Sequence, residues 1–457
     1  MARVIWESEI LQVRTIPRHW IDQALGPVFD ALLRPGVDAA RVAEVVRLLR
    51  AAPATLAHAG AALDRPAREF AALAISELAD LDDRIAVCTE ALTSIDPSAA
   101  ADLHSAGTAA AAAFTQFGTD LVAAMPTLPP ARPVGRSEYE WFLREVACIP
   151  LGVDEIAQIG RREYDRAVWL ELLHATRNRG LPQPPLPADA EQQARREARD
   201  ERDVRMFYAE HGLLTQPSSL RHYRTAPMPD YLEPLRFLGV ADDLTGPERL
   251  AEDAVAYFPP PGPELPYFYA ANARDPRAGI VHEGVHYQQL ALAWGNPRPV
   301  RRHYYDSAAN EGIAFYNEEM MLVSGLFDDA PQTRTTICNF MRLRALRVSA
   351  DVGLAIGSRS INDVARELES RVPMDSATAH EEAAFFAETP GQALTYQVGK
   401  TQLISLIADA VQLRGADLDL QALHDDLWLN GNVPIALLRW EQLGLTDELA
   451  ALDIDAG

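Results

Sequence analysis

Cysteine is nearly missing from this chain: Cys88, Cys148 and Cys338 are the only three in 457 residues. They lie far apart and form no CxxC pair. That argues against a disulfide framework or a cysteine zinc site and makes a reducing, cytoplasmic location the expectation. No apolar run reaches about eighteen residues, so no membrane span is expected. The opening MARVIWESEILQVR carries charges throughout and lacks an apolar signal core. Basic charge is scarce, with 42 Lys+Arg against 65 Asp+Glu and a formal net charge of −23. Nucleic acid and anionic membrane surfaces are therefore poor partners, because phosphate binding needs a basic face. Alternating β-branched stretches are rare too, which disfavours a sheet-based fold.

What is present reads as a large helical protein. Apolar residues make up 48% and charged residues 23%, which excludes wholesale disorder. Alanine, leucine, arginine and glutamate dominate, and the expected fold class is mainly α. Long amphipathic segments run through Ala40–Leu49, Arg65–Thr93 and the Ala-rich Ser98–Ala124, which reads as close helix packing. The proline-rich run from Pro126 to Pro133 is the best boundary. It separates an N-terminal helical region, 1–126, from a second region, 135–457. A break from Gly180 to Pro187 precedes a charged helix near Ala190–Tyr208, read as a solvated face. The stretch Tyr267-Phe268-Tyr269 after Pro259–Pro263 could form an edge strand or a pocket wall, with plain packing the preferred expectation.

Chemistry is concentrated between Asp275 and Gly295. Asp275-Pro276 is a helix start and Gly295-Asn296-Pro297 a stop, so a helix of about five turns is expected between them. His282 and His286 are four apart and share one face, with Glu283 beside the first. This HExxH spacing lets two neutral imidazoles chelate zinc while the glutamate reaches a metal-bound water. The site then needs one more protein ligand and one open position. Asp306 or Ser307 caps a second helix, with Glu311 in its first turns and Glu318 seven residues on, sharing its face. Glu311 is the expected third ligand of one Zn2+ per chain. Glu318 is the expected partner of a ligand histidine's free ring N–H.

Several longer strings follow in order. Gly135-Arg-Ser-Glu-Tyr139 and Gly152-Val-Asp-Glu-Ile-Ala-Gln-Ile-Gly160 come first, then Glu311-Gly-Ile-Ala-Phe-Tyr-Asn-Glu318. After them come Arg344-Ala-Leu-Arg347 to Asp351-Val-Gly-Leu354, Pro390-Gly-Gln-Ala-Leu-Thr-Tyr-Gln-Val-Gly399, and His424-Asp425 to Pro434. Across about residues 135 to 440 the chain resembles the bacterial domain of unknown function 885 family, a helical group related to zinc metallopeptidases. The resemblance implies a helical, metallopeptidase-like body with a deep central channel, the segment before Pro126 forming its lid or first half. Two positions depart from the family pattern. The family spaces its histidines as HExxPGH, two residues longer than here. An Arg-Tyr pair expected just before the PGQAL string is Phe385-Phe386.

The expected reaction is hydrolysis of an amide or peptide bond in a small peptide or amide metabolite. Zinc lowers the pKa of its water, Glu283 takes the proton and passes it to the leaving nitrogen, and Tyr396 in the PGQAL string donates to the oxyanion. His380, His303, Tyr304 and Tyr305 are weaker donor candidates, with His380 and Tyr304 also candidate substrate contacts; for each a structural role is the alternative. Among Arg301, Arg302, Arg342, Arg344 and Arg347, one or two are candidates for a substrate carboxylate, Arg347 foremost, with internal ion pairs as the alternative. His424 reads as structural, and Lys400 as a residue near the same string. A non-peptide substrate and a non-catalytic binding protein are the competing readings.

Overall fold

The computed structural model describes residues 1–372 and 374–455, and it is mainly helical with three short strands. The chain divides into two compact units. One holds Met1–Arg132 together with Ala226–Asp243 and Val255–Pro259; the other holds Pro133–Thr225, Leu244–Ala254 and Pro260–Gly457. The two inserted stretches, which the sequence places inside the second region, supply Leu232, Leu235 and Tyr257 to the first unit's core. No local pattern marks such a return, because it depends on which core the apolar side chains reach.

The first unit is an array of α1 (Pro17–Leu33), α2 (Ala39–Ala62), α3 (Arg68–Leu78), α4 (Leu81–Ile95) and α5 (Ala100–Ala124). Asp38 starts α2 by accepting from the Arg41 amide. Val42, Val45, Val46 and Leu49 then recur at helical spacing and are all buried. The amphipathic segment Arg65–Thr93 holds two helices, α3 and α4, because Asp80 takes a left-handed φ of 59° between them. The Ala-rich α5 does pack closely: a Cβ on Gly107 would lie 3.0 Å from Thr89 Cγ2 on α4.

The second unit carries α6 (Val153–Arg177) and α7 (Ala190–Glu210). A small sheet follows in the chain, with β1 (Tyr223–Pro227), β2 (Asp242–Asp243) and β3 (Ala254–Phe258) in the order β1-β3-β2. Strands β2 and β3 are antiparallel, with Asp242 opposite Ala256. Next come α8 (Tyr267–Arg274), α9 (Arg277–Ile280), α10 (Glu283–Trp294), α11 (Ser307–Ser324) and α12 (Pro331–Ala355). The last of the labelled helices are α13 (Ile361–Arg371), α14 (Ser376–Glu388), α15 (Thr395–Arg414) and α16 (Leu420–Leu429). No described helix is long and apolar enough to cross a membrane.

Three local expectations change. Tyr267–Tyr269 form the first turn of α8 rather than an edge strand, while the expected packing holds, with Tyr267 edge-on to Phe340 at 5.6 Å. The α7 charge run is not wholly solvated, since Gln193, Glu197, Asp200 and Glu201 are buried. Polar partners make that tolerable: Gln193 Nε2 donates to Glu197 at 2.9 Å, and His222 Nδ1 lies 2.9 Å from Glu201. The five-turn helix after Asp275 breaks into α9 and α10, with a turn at Val281-His282.

Two helix pairs in this unit pack closely at glycines, the second of them backbone to backbone. A Cβ on Gly160 of α6 would sit 2.8 Å from Val348 Cβ on α12. Where α11 crosses α15, a Cβ on Gly312 would sit 2.6 Å from the Gly399 carbonyl carbon, and a Cβ on Gly399 would overlap the Ala308 carbonyl oxygen. Only glycine fits this crossing, and it sets how near Glu311 on α11 comes to Tyr396 on α15.

Candidate metal centre

His282 is the N-cap residue of α10, with φ −112° and ψ −71°, so it stands at a helix end rather than mid-helix. The pairing of the two histidines survives this break because the His286 amide still donates to the His282 carbonyl at 3.3 Å. Their ring centroids are 4.9 Å apart and nearly perpendicular. Asp306 caps α11 by accepting from the Ala309 amide, and Glu311 follows in the second turn. Its Oε2 lies 3.5 Å from His282 Nε2 and 3.4 Å from His286 Nε2. The ligand atoms of these three residues all lie within 4.8 Å of one another. Glu311 Oε2 is buried and makes no hydrogen bond.

Behind this triad, His282 Nδ1 lies 2.6 Å from Glu318 Oε1, and Glu318 is completely buried. The Arg344 guanidinium spans both oxygens of Glu318 at 2.8 Å each. A proton on Nδ1, which lies 2.6 Å from Glu318 Oε1, would leave the Nε2 lone pair facing Glu311, the tautomer a metal ligand needs. His286 Nδ1 is buried without a hydrogen-bond partner.

The electrostatics are those of a tightly coupled cluster. Burial and the Arg344 charge act to lower the His282 pKa, but Glu318 and Glu311 outweigh them and hold it at about 9. Burial alone would raise the Glu311 carboxyl; the two imidazoles reverse that and hold it well below the usual carboxylate range. Tyr396 stacks on His282 with ring centroids 6.0 Å apart and planes 9° apart. Its phenol is pushed far above its ordinary value by burial, with the Glu311 and Glu283 charges adding to it. Glu283 itself is half-buried.

The remaining candidates fall away from the triad. Arg347 bonds Glu382 at 2.8 Å, lies over the Tyr396 ring at 5.0 Å and acts on Glu311 through its charge. Arg342 pairs with Glu171, and Arg301 with Glu441. His380 and His303 are exposed, and Tyr304 packs half-buried against the core. Lys400 is buried between Glu163 at 3.0 Å and Glu319 at 2.8 Å. His424 bonds the Leu213 carbonyl through Nδ1 and Tyr316 through Nε2, a structural role.

Residues 33–441 match the family model described as "Bacterial protein of unknown function (DUF885)". The chain belongs to this family. The DUF885 match starts well before Pro126, so most of the N-terminal helices belong to it as well. No curated protein matches. Two solved structures share the fold, both described as candidate lipoproteins, the first of them "of unknown function". The one from Shewanella oneidensis has a TM-score of 0.67 at 16% identity, covering 94% of this chain and 82% of that one. The one from Colwellia psychrerythraea has a TM-score of 0.66 at 17% identity, covering 96% and 77%.

Three of the DUF885-like strings meet at a residue to which the sequence assigns no role, Asp351 on α12. It accepts from Tyr139 Oη at 2.8 Å, from the Gly391 amide at 2.8 Å and from the Leu394 amide at 3.1 Å. Burial still lifts its carboxyl to about 6 against those donors. Gly391 has φ +91°, and a Cβ there would overlap the Phe142 ring, so this turn requires glycine. A signal was available in the spacing: Arg344, Arg347 and Asp351 lie at i, i+3 and i+7, one face of one helix.

Proposed function

We propose that this chain is a zinc-dependent hydrolase, cleaving an amide or peptide bond in a small peptide or amide metabolite. One observation carries the reading: Glu311 Oε2 is buried, hydrogen-bonded to nothing, and faces both histidine Nε2 atoms at 3.5 and 3.4 Å. A buried carboxylate oxygen in that position needs a cation, which either a protonated imidazole or a metal ion held by the three residues supplies. Two imidazoles and one carboxylate form a donor set suited to zinc with one position left open. Zinc in that place supplies a Lewis acid that acidifies water and polarises a carbonyl.

The chain's own residues divide the rest of the work. His282, His286 and Glu311 hold the cation, and Glu318 orients His282. The Glu283 carboxylate takes a proton from water and delivers it to the leaving nitrogen. Tyr396 Oη donates to the carbonyl oxygen as negative charge builds on it. A phenol with a raised pKa keeps the proton it has to donate. One observation favours a non-peptide substrate for the same chemistry. Phe385-Phe386 stand where the family resemblance expects Arg-Tyr, and nearby Arg347 is committed to Glu382.

The deciding experiment is metal content by mass spectrometry on protein purified without chelator or affinity tag. About one zinc per wild-type chain, lost in Glu311→Ala, supports the site. Glu283→Gln is then expected to keep zinc and lose turnover on peptides and amides. No metal in the wild type, even after zinc is added, sinks the reading. A cytoplasmic location remains part of the proposal. The two fold neighbours are themselves described as candidate lipoproteins, which makes a membrane-anchored location the competing reading, and cell fractionation separates the two.

A further inference from the structure

We propose that Asp351 is a positioning residue: it anchors the turn that delivers Tyr396 to the metal centre. The inference rests on the hydrolase reading, because Tyr396 has a task only there. Tyr396 is the second residue of α15, so the backbone that leads into it is the turn just before, Thr389–Leu394. That turn has no helix of its own to hold it. Its amides at Gly391 and Leu394 point at the Asp351 carboxylate instead, each oxygen taking one of them. An anion at the start of α15 also suits the helix dipole. Tyr139 donates at 2.8 Å to the oxygen that also takes the Gly391 amide, a third bond that holds the carboxylate in place. One helical turn before Asp351 on α12, Arg347 lies over the Tyr396 ring at 5.0 Å, and Arg344 reaches it at 5.5 Å. Helix α12 therefore grips the tyrosine twice, by its ring and by the backbone leading into it. The opposite grip comes from the Gly312–Gly399 crossing, which brings α15 onto α11 and its metal ligand Glu311.

Asp351 makes no contact with the triad, so its effect has to pass through Tyr396. That gives a test that simple destabilisation would not mimic. The probe is acetohydroxamate binding to the zinc-loaded protein, measured by calorimetry, because a Tyr396 hydroxyl at the metal would donate to the bound oxygen. Tyr396→Phe is expected to weaken binding about 10-fold, the value of a hydrogen bond to a charged acceptor. Asp351→Asn keeps the shape of the side chain but puts an N–H against one of the turn amides. It is expected to weaken binding by a comparable factor, with the double variant no weaker than Tyr396→Phe alone. Hydrogen exchange at Gly391 and Leu394 is expected to speed up in Asp351→Asn. Multiplying losses in the double variant, or unchanged exchange in that turn, overturns the positioning role. If Asp351→Asn does not fold, Tyr139→Phe applies the same test with a smaller loss, again absent on the Tyr396→Phe background. Zinc that binds normally while Asp351→Asn has no effect refutes this inference alone. A wild-type chain that takes no zinc refutes the hydrolase reading and the inference with it.

Discussion

The Tyr139 hydroxyl donates to the Asp351 carboxylate at 2.8 Å across 212 residues of sequence, and both side chains are fully buried. The bond ties the short helix after the proline-rich run to the C-terminal end of α12, and through Asp351 to the turn before Tyr396. Tyr139→Phe leaves the carboxylate one donor short without opening a cavity. It is expected to cost about 1–3 kcal/mol of stability, measured by urea unfolding. A loss indistinguishable from zero would mean that the two turn amides alone satisfy Asp351.

Zinc should stabilise the folded chain by mass action. At a free concentration about 100 times its Kd, the gain is about 2.7 kcal/mol, seen as a rise in Tm. His286→Ala should abolish that rise. Affinity should climb as pH rises toward about 9, because His282 holds a proton up to that value and must shed it to ligate. A pH-independent affinity would show that Glu318 and Glu311 do not hold that proton.

The two glutamates of α11 should separate by magnitude. Glu311→Ala removes a ligand and should eliminate stoichiometric binding. Glu318→Ala removes only the partner of His282 Nδ1 and should weaken zinc by about 10–100-fold. Chelator competition distinguishes them, and the reverse order would mean the ligand assignment is wrong.

Gly399→Ala should be among the most damaging small substitutions. The added methyl meets the Ala308 carbonyl oxygen, a backbone atom that cannot rotate away. The expected loss is about 3 kcal/mol, the upper end of overpacking, together with weaker zinc binding as α11 and α15 are forced apart. An alanine tolerated at full stability and affinity would contradict so close a crossing.

Stability should depend on pH through Glu197 on α7. Burial pushes its carboxyl up to about 7 from an ordinary 4.5. A raised folded-state value means that its contribution is complete below 4.5 and is lost as pH rises through 7. Glu197→Gln cannot ionise. Relative to wild type, this variant should gain up to about 3 kcal/mol between pH 4 and pH 8. Parallel urea midpoints across that range would exclude the effect.

Much of the candidate site was legible beforehand because its signals are local. His282 and His286 are one helical turn apart, and Asp306 and Glu311 stand at a cap and in the turn after it. Those relations follow from 3.6 residues per turn and the needs of a helix start. Other features were misread for an equally physical reason. The break at Val281-His282 is hidden in a segment with good helix formers, and the buried acids of α7 look solvated until their partners are placed. Arg344 and Arg347 could be read as substrate contacts only while Glu318 and Glu382 had no position.

By itself, the sequence determined a mainly helical chain, the family it belongs to, and which residues could ligate a metal. Composition, periodicity and short motifs act over a few residues, and each carries its own signal. Only the tertiary structure decided that Glu311 faces both imidazoles, that Arg344 belongs to Glu318, and that Asp351 holds the turn before Tyr396. These pairings join residues tens to hundreds of positions apart. They exist because glycine-lined helix crossings bring backbones into contact, and because a buried charge or amide must find its partner wherever the fold puts one.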